Sequence, residues 1–375
     1  MKVLHTSDLH IGRSLLEESL MPDQKHILQQ IINVIEEEKA EVVMISGDIY
    51  DKSIPSAEAV RLFNDFLVAL SQCDCEVLII RGNHDSADRL NFGSELFNRL
   101  NIHIVTEYKG RIARFSRDNV DFYMLPFMKT FFLKDYLTEE EYAEIRNSTD
   151  MMRAVLRKEH LDKDKVNILM MHRFVKEGER TPELSESESM FMVGSLDPVD
   201  AGLLEDFDYV ALGHIHKPQE IGRESLRYSG TPMKYSFSEV DNENGVVVFD
   251  TETKVISIIP LVPLRQMRII SDTYANIMKM DNSDDILRIE LQDEPEVSTP
   301  LDDLKKKFPN LLSLVPLKHE YEARGIFAGR TEITSRDSPE TLFAEFFELQ
   351  TGRKMNEKEE TFLKSILEDL QEEQP

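Results

Sequence analysis

The sequence predicts a layered α/β fold, and three observations support this prediction. Short apolar runs rich in Val, Ile and Leu recur through the first part of the chain, and such runs are typical of strands buried on both faces of a sheet. Segments with helical periodicity alternate with these runs, as they do in α/β proteins. The chain has 375 residues, more than one compact core usually needs, so we expect more than one domain.

Six of the apolar runs are predicted to be strands. In chain order they read KVLHTS, EVVMIS, EVLII, VDFYMLPF, VNILMM and YVAL. Amphipathic helices are predicted between the first three runs. The first helix, within DQKHILQQIINVIEEEKA, has apolar residues at helical spacing at Ile27, Leu28, Ile31 and Ile35.

The second helix is predicted within PSAEAVRLFNDFLVALSQ. Ser56 is its expected N-cap, because a serine hydroxyl can accept a hydrogen bond from the backbone at the start of a helix. The predicted inner face consists of Val60, Phe63, Leu67 and Leu70. Helical spacing alone explains both apolar stripes, so we interpret them as core.

The pattern changes near residue 245. NGVVVFDTETKVISIIPLVPLRQMRII is predicted to form a hairpin of paired strands. The stretch from Asn282 onwards then alternates a strand, a short helix and a strand, as in a small α+β domain. The end of the chain is predicted as two short amphipathic helices broken at Gly352, which dock either on their own domain or in a groove of another protein. We expect domains at residues 1–264, 265–335 and 336–375.

Composition narrows the class of protein. No stretch approaches the roughly 18 apolar residues of a membrane span, and the N-terminus lacks the pattern of a signal peptide, so we expect a cytoplasmic protein without membrane contact.

Cys73 and Cys75 are predicted to be packing residues, because a lone pair one residue apart suits neither a structural disulfide nor a zinc site. The acidic segment 181–189 is predicted to be a solvated loop.

The formal net charge of −26 argues against a protein that binds DNA by its own electrostatic attraction. It does not exclude an enzyme that acts on nucleic acid. Bound metal ions supply local positive charge, and a partner protein can supply a basic surface.

Polar side chains with imidazole nitrogens, carboxylate oxygens or an amide oxygen follow the predicted strands. Five of the ten histidines stand at or just beyond the ends of apolar runs, together with two aspartates and an asparagine. In an α/β sheet these ends collect at one edge, where ligands bind. The residues concerned are Asp8, His10, Asp48, Asn83, His84, His172, His214 and His216.

Carboxylate, amide oxygen and imidazole are ligands that suit hard or borderline divalent ions such as manganese, iron or zinc. The pairs Asp8 with His10 and His214 with His216 each point to one side of an extended segment, because strand side chains repeat every two residues. One ion could take His10 and His216, and another could take Asn83, His172 and His214. Asp48 is able to bridge both, which predicts a dinuclear site.

Each residue also has a simpler interpretation. A single histidine is often a hydrogen-bonded core residue, and that interpretation is kept for His5, His26, His103, His160 and His319. Gly47, Gly82 and Gly213 could be turn residues, yet each directly precedes a proposed ligand, where the backbone must come close to an ion. The same pattern at five strand ends makes coincidence a poor explanation.

The motifs DLH, GD, GNHD, H and GHIH, in this order, resemble the calcineurin-like metallophosphoesterase superfamily. Within it, the stretches KVLHTSDLHIGRSL, GDIYDKSIPS, RGNHDSADRL, FDYVALGHIHKPQ and YSGTPMKYSFSE are similar to the SbcD nuclease family, bacterial relatives of the eukaryotic double-strand-break repair nuclease. The resemblance implies a layered β-sandwich flanked by helices, a small α+β cap domain and a C-terminal helical hairpin. It covers essentially the whole chain and is strongest through residue 240.

The resemblance also implies roles for single residues. One metal would be held by Asp8, His10, Asp48 and His216, and the other by Asp48, Asn83, His172 and His214. His84 would contact the scissile phosphate and assist the leaving oxygen. In some relatives a second histidine follows the bridging aspartate by three positions, whereas this chain has Asp51 there. Asp51 is therefore a candidate to orient His84 from behind or to act as a ligand.

The implied activity is a manganese-dependent 3′ to 5′ exonuclease on double-stranded DNA ends, with endonuclease action on hairpins and single strands. Two metals would polarise the phosphodiester and lower the pKa of an attacking water. The implied partners are DNA, a second copy of the chain through the first domain, and an SbcC-like ATPase in a heterotetramer. The cap domain would face DNA, and the C-terminal helices would dock the ATPase.

Two other functions fit parts of the sequence. One is a calcineurin-like phosphodiesterase that acts on small phosphodiesters; a protein phosphatase is disfavoured because this chain has GNHD and GDIYDKS in place of GNHE and GDYVDRG. The other is a non-catalytic scaffold for an ATPase, which the complete set of ligands disfavours. Four basic residues near the motifs are predicted either to contact DNA or to be solvated surface charges. They are Arg13, Arg89, Lys129 and Lys217.

Overall fold

A computed structural model of the chain describes residues 1–185, 188, 197–293, 300–316, 347, 354–356 and 363. Residues Met1–Ile269 and Asp284–Leu287 form a first compact unit, and the other described residues form a second. The predicted C-terminal helices at 336–375 lie, apart from residues 347, 354–356 and 363, outside the described residues. Within the described ranges, every helix is too short or too polar to span a lipid bilayer.

The first unit contains two six-stranded sheets. The strands of the chain are, in order, β1 (Lys2–Thr6), β2 (Ser14–Leu15), β3 (Glu18–Ser19), β4 (Val42–Ser46), β5 (Glu76–Ile80), β6 (Ile102–Val105), β7 (Ala113–Arg117), β8 (Val120–Leu125), β9 (Val166–His172), β10 (Val175–Lys176), β11 (Val199–Asp200), β12 (Tyr209–Gly213), β13 (Gln219–Ile221), β14 (Arg223–Tyr228), β15 (Gly245–Asp250), β16 (Ile256–Pro260), β17 (Met267–Asp272), β18 (Ile286–Leu291) and β19 (Leu311–Pro316). The first sheet has the order β16-β15-β1-β4-β5-β6, and the second has the order β13-β14-β12-β9-β8-β7.

The central strands of both sheets are parallel. In the first sheet β1, β4, β5 and β6 run in one direction, whereas the β15–β16 hairpin pairs antiparallel to β1. In the second sheet β8, β9, β12 and β14 are parallel. The register aligns the strand ends, since Thr6 pairs with Ile45 and His172 pairs with Gly213. The loops that follow these strands therefore start at the same level.

The two sheets pack face to face around an apolar core. Alternate residues of each strand point into this interior, because strand side chains change face at every residue. The core includes Val3, Met44, Leu78 and Phe249 from the first sheet and Phe122, Met170 and Ala211 from the second. Near the strand ends, the Ser46 hydroxyl donates to the Ala211 carbonyl oxygen at 3.1 Å and links the sheets directly.

Helices cover the outer faces of this sandwich. Helix α1 (Met21–Glu38) connects β1 to β4, and α2 (Ala57–Leu70) connects β4 to β5. Such crossovers lie on the face of the sheet that the second sheet does not cover. On the other side, residues of Ser148–Leu156 pack with β9 and β12 in a second core. The remaining described helices are Ala87–Asn91, Ser94–Phe97, Glu139–Ala143, Tyr274–Ile277 and Pro300–Lys307, with 3-10 turns at Asn98–Leu100, Thr130–Asp135, Ala201–Leu204 and Phe237–Glu239.

The predicted fold class and all six predicted strands are confirmed. Ser56 caps α2 by accepting from the Ala59 backbone nitrogen at 3.2 Å, as expected. The prediction for Val60 is wrong, because its side chain is 46% exposed. The buried stripe of α2 is centred on Ala59, Phe63 and Phe66, so Val60 lies at its edge in the first turn.

The later part of the chain contains the expected hairpin and the expected strand-helix-strand pattern. The hairpin is the antiparallel pair β15–β16. A three-stranded sheet has the order β17-β18-β19, and helix Pro300–Lys307 connects β18 to β19. Both cysteines are free thiols, which agrees with the predicted absence of a disulfide.

Candidate metal centre

The predicted ligands are brought together by loops at one edge of the sandwich. The loop after β1 is tied to the loop after β4, because the backbone nitrogens of Asp8 and His10 donate to the carbonyl oxygens of Gly47 and Asp48, each at 3.0 Å. The Asp85 carboxylate accepts from the backbone nitrogens of Tyr50 at 3.0 Å and Gly82 at 2.9 Å. The first three loops are thereby fixed to one another before any ligand binds.

One set of ligand atoms is almost fully buried. His10 Nε2 lies 3.2 Å from His216 Nε2 and 4.0 Å from Asp8 Oδ1. Asp8, His10 and His216 are 0%, 1% and 5% exposed. We call these three residues the closed group.

A second set of ligand atoms faces outward. The Asn83 side-chain oxygen lies 2.9 Å from both His172 Nε2 and His214 Nδ1. Asn83 is exposed and His214 is half-buried, whereas His172 is buried. We call Asn83, His172 and His214 the open group.

Asp48 lies between the two groups. Its Oδ2 atom is 3.8 Å from His10 Nε2 and 3.3 Å from His172 Nε2. Potential ligand atoms of Asp8, Asp48 and His172 also lie within 4.8 Å of one another. The converging atoms are carboxylate and amide oxygens and imidazole nitrogens, the donor set that suits divalent ions of intermediate hardness. The residues present therefore fit a pair of divalent ions that share Asp48.

Four of these side chains project from strained backbone. Asp8, His10, Asp48 and His214 have positive φ angles of 54°, 42°, 51° and 100°. Such angles are uncommon for residues other than glycine and persist when the surrounding structure enforces them. Here the loop-to-loop hydrogen bonds do so, and they direct the side chains toward one point.

The glycines before the ligands are required by close contact. A Cβ atom on Gly82 would lie 2.1 Å from Asp48 Oδ1, and one on Gly213 would lie 2.0 Å from the Ser46 carbonyl oxygen. Gly47 has a φ of +93°, and a Cβ there would lie 2.5 Å from His172 Nδ1. These three glycines are therefore required by close approach of the backbone to other protein atoms, and their predicted approach to an ion stays a prediction.

Hydrogen bonds on the far side of each ring decide which imidazole nitrogen faces the centre. The Ser46 carbonyl oxygen lies 2.8 Å from His172 Nδ1, which must therefore carry hydrogen and leaves Nε2 for the centre. The Glu239 carboxylate lies 3.2 Å from His216 Nδ1 and has the same effect there. Carboxylates behind a ligating histidine orient the ring and raise its basicity.

Sequence reasoning missed two of these supporting carboxylates. Glu239 is 0% exposed and also accepts from the Tyr235 backbone nitrogen at 2.8 Å. Glu188 was predicted in a solvated loop, but it is buried and accepts from the His216 backbone nitrogen at 2.8 Å, so that prediction is wrong at this residue. Neither the stretch YSFSE, which contains Glu239, nor the acidic segment 181–189, which contains Glu188, gives an indication of burial.

His84 lies beside Asp48 and is oriented through its backbone and its ring. Its backbone nitrogen donates to Asp48 Oδ1 at 2.8 Å. Its Nδ1 lies 2.7 Å from the Asp51 carbonyl oxygen, so Nδ1 donates and Nε2 is directed to the centre, 4.0 Å from Asp48 Oδ2. Asp51 thus contacts His84 through its main chain.

The Asp51 side chain has a different partner, Arg13, whose Nη1 lies 2.8 Å from Asp51 Oδ1. Asp51 Oδ1 is also 3.8 Å from His10 Nδ1, on the outer side of that ring. Lys217 pairs with Glu183, whereas Lys129 is exposed and forms no ion pair with any described residue. Two of the four nearby cations are therefore already paired with carboxylates.

The ionisable groups of the centre lie close enough to shift one another's pKa values. Burial and the Asp48 charge raise the pKa of Asp8 to about 6, although neighbouring histidines oppose this. Burial works against the ionised form of Asp48, yet His172 and His84 outweigh it and hold the pKa of Asp48 below its ordinary value. Burial opposes protonation of His172, but Asp48 and Asp8 raise its pKa to about 9. A divalent cation bound here would replace the proton on His172.

Several solved structures show a distant similarity to this chain. A dimetal phosphatase from Danio rerio aligns over 61% of this chain and 86% of its own, with 14% identity and a TM-score of 0.33.

Two family models match the sequence. Residues 1–218 match the calcineurin-like phosphoesterase family, and residues 263–351 match a family described as the type 5 capsule protein repressor C-terminal domain. The first match includes every residue of the closed and open groups, together with Asp48 and His84.

Two relatives match over nearly the whole chain. A protein from Staphylococcus saprophyticus, named as the SbcD component of the nuclease SbcCD, is 32% identical over 100% of this chain and 99% of its own. A protein of the same name from Staphylococcus epidermidis is 30% identical over 98% of each chain. Together with the fold and the convergence of the ligands, these matches show that the chain belongs to the calcineurin-like phosphoesterase family, among the SbcD proteins.

Proposed function

We propose that this chain is a metal-dependent nuclease, the SbcD component of an SbcCD-type complex, and that it hydrolyses phosphodiester bonds of DNA. The observation that carries the proposal is the pair of ligand groups joined at Asp48, with His84 beside them. The relatives named as components of the SbcCD nuclease, similar along the whole chain, support DNA as the substrate.

The proposed ligands are divided between two ions. The closed group and Asp48 would hold one ion, and the open group and Asp48 would hold the other. Manganese is the proposed metal, because it accepts both imidazole and carboxylate. Bound there, the two ions would polarise the phosphodiester and lower the pKa of an attacking water. Glu239 and the Ser46 carbonyl oxygen keep His216 and His172 in the orientation that ligation needs.

His84 is the proposed general acid. Its Nδ1 is held by the Asp51 carbonyl oxygen, so Nε2 is the atom that can meet the substrate. A proton on Nε2 can stabilise the developing charge or pass to the departing 3′-oxygen. The Asp51 side chain is paired with Arg13, so its carboxylate is proposed as a support of the site rather than as a ligand.

The proposed activity is 3′ to 5′ exonuclease on double-stranded ends and endonuclease on hairpins or single strands, in DNA repair, recombination and replication. In this assignment residues 1–264 form the nuclease domain, 265–335 a cap that faces DNA, and 336–375 the dock for an SbcC-like ATPase. The partner compensates for the net charge of −26 by holding the DNA.

We propose a heterotetramer with two copies of each protein. Phe92 and Leu96, which are 84% and 65% exposed, offer an apolar surface on the nuclease domain for a second copy. Light scattering of the reconstituted complex tests this assembly, and a mass of one copy of each protein would contradict it.

The nuclease proposal is tested with a hairpin-ended DNA duplex in manganese, magnesium or chelator, with and without the ATPase partner. We expect manganese-dependent cleavage, reduced about 10²–10⁴-fold in His84→Ala, because general acid catalysis contributes that much. Bound metal, measured by mass spectrometry, should stay at the wild-type level in this variant. His160→Ala is the control, since His160 is exposed and precedes the start of β9, whereas His172 lies at the other end of that strand.

Cleavage that His84→Ala leaves unchanged would remove His84 from the mechanism. No cleavage by protein that carries two ions, with its partner present, would overturn the nuclease proposal. The substrate would then be a small phosphodiester, or the chain would be a scaffold, and hydrolysis of bis(p-nitrophenyl) phosphate would separate these two cases.

A further inference from the structure

The segment that follows β8 lies at the rim of the metal centre. The ring of Phe127 packs edge-on against His172, with 6.4 Å between the ring centroids. The guanidinium groups of Arg81 and Arg173 donate to the carbonyl oxygens of Phe127 and Met128. This start of the segment is therefore fixed relative to a proposed metal ligand.

Two aromatic rings project from the same segment into solvent. Met128 and Leu133 are 3% and 1% exposed and anchor it in the core beneath the second sheet. Between these anchors Phe131 is 68% exposed and Phe132 is 49% exposed, with 5.9 Å between their ring centroids. Because both ends are anchored, the 3-10 turn Thr130–Asp135 holds the rings outward. Adjacent exposed rings on an anchored turn, in a segment that contacts a proposed metal ligand through Phe127, indicate a binding surface.

The charge of this segment differs from that of the chain as a whole. The chain has 70 acidic and 44 basic residues, yet residues 127–135, FMKTFFLKD, which end with the turn, contain two lysines and one acid, Asp135. Lys129 and Lys134 are exposed, and neither forms an ion pair with any residue that the structure describes. Exposed aromatic rings beside cations are the combination by which proteins bind single-stranded nucleic acid, through stacking on bases and attraction to phosphates.

We propose that Phe131 and Phe132 stack on unpaired bases of a DNA end or hairpin loop, while Lys129 and Lys134 contact the adjacent phosphates. The turn thereby selects opened over fully paired DNA and leads the strand to the metal centre. This inference rests on the proposed nuclease function. It adds a specificity-determining surface that the ligand motifs do not contain.

The inference is tested by binding of the full-length chain to two DNA probes in chelator, which prevents hydrolysis. One probe is a blunt duplex, and the other carries an unpaired 3′ tail that ends in 2-aminopurine. We expect the double variant Phe131→Leu with Phe132→Leu to bind the tailed probe about 5–150-fold more weakly, since stacking of a base on an aromatic ring is worth about 1–3 kcal/mol. Binding of the blunt duplex should change far less.

A matched variant separates stacking from simple hydrophobic contact. Phe131→Tyr with Phe132→Tyr keeps the rings and should retain both the affinity and the 2-aminopurine fluorescence change of the wild type, whereas the leucine variant keeps apolar area without a ring. Hydrolysis of bis(p-nitrophenyl) phosphate should be equal in all three proteins, which shows that the folded centre is intact.

The outcomes distinguish this inference from the nuclease proposal. If the wild type cleaves DNA but the leucine variant binds the tailed probe as tightly as the wild type, the stacking surface is overturned and the nuclease proposal stands. If the leucine variant instead no longer binds the ATPase partner, Phe131 and Phe132 contact a protein rather than DNA, which also overturns the inference. If the wild type cleaves no DNA, both proposals are overturned.

Discussion

The closed and open ligand groups meet at one aspartate but differ in burial and support. Asp8, His10 and His216 are at most 5% exposed, and His216 is held by the buried carboxylates of Glu239 and Glu188. In the open group Asn83 is exposed, and His172 is held by a main-chain oxygen. One half of the centre is thus enclosed by side chains, and the other half faces the surface.

This difference indicates separate roles for the two halves. A site whose ligands are held by buried carboxylates binds a cation more tightly, because the surrounding hydrogen bonds fix the ligands. A site with an exposed amide ligand is accessible to substrate. We therefore expect the closed group to anchor one ion and the open group to bind its ion together with the phosphodiester.

The largest effect is expected from Asp48→Ala, since both halves depend on Asp48. Its Oδ2 atom lies 3.8 Å from His10 Nε2 and 3.3 Å from His172 Nε2, so each half would lose a ligand. We expect mass spectrometry to show that both ions are lost. Phosphodiesterase activity should fall by more than about 100-fold, which is the largest effect usual for a residue that only supports a metal ligand. Asp65→Ala removes an exposed acid of α2 and serves as the control. A variant that still carries two ions would show that Asp48 does not join the halves.

A smaller effect, restricted to the closed half, is expected from Glu239→Gln. Loss of the charge behind His216 should weaken manganese binding about 10–100-fold at one of the two sites, the usual effect of a supporting carboxylate. Calorimetric titration of metal-free protein should resolve one weakened and one unchanged site. Glu224→Gln, at an exposed position, should leave both sites unchanged. Equal weakening of both sites would remove the distinction between closed and open groups.

The last effect is expected in folding stability rather than in metal binding, and it concerns the buried interior that leads to the closed group. Burial lowers the pKa of His5, three residues before Asp8, from 6.5 to about 3. The unfolded chain therefore takes up a proton near pH 6.5 that the folded chain rejects until about pH 3, so this contribution to stability is present above pH 6.5 and is lost as the pH falls toward 3. The maximal slope is about 1.4 kcal/mol per pH unit.

Urea denaturation in chelator at several pH values measures this slope. We expect His5→Gln to have a shallower dependence than the wild type between pH 6.5 and 3, where the pKa values of the two states differ. His160→Gln, on the exposed surface, should keep the wild-type slope. A slope unaffected by His5→Gln would mean that the interior behind the closed group is accessible to water.

The strands and the candidate ligands followed from local patterns. Apolar runs predict buried strands because each residue of a run can be buried only if both faces of the sheet are covered. Polar residues directly after such runs predict ligands, because parallel strands end at the same edge. The same reasoning failed for Val60 and Glu188, since the position of a residue within a face or a loop depends on what packs against it.

By itself the sequence determined the layered α/β class, the glycines before the ligands and the chemical type of the donors, because these depend on neighbouring residues only. The division into a closed and an open half was decided by the tertiary structure. It arises because the 3-10 turn Phe237–Glu239 brings Glu239 behind His216, and because the packing of one sheet on the other brings the Ser46 carbonyl oxygen behind His172. The outward position of Phe131 and Phe132 has the same origin, since only the packed core fixes the anchors Met128 and Leu133 on either side of them.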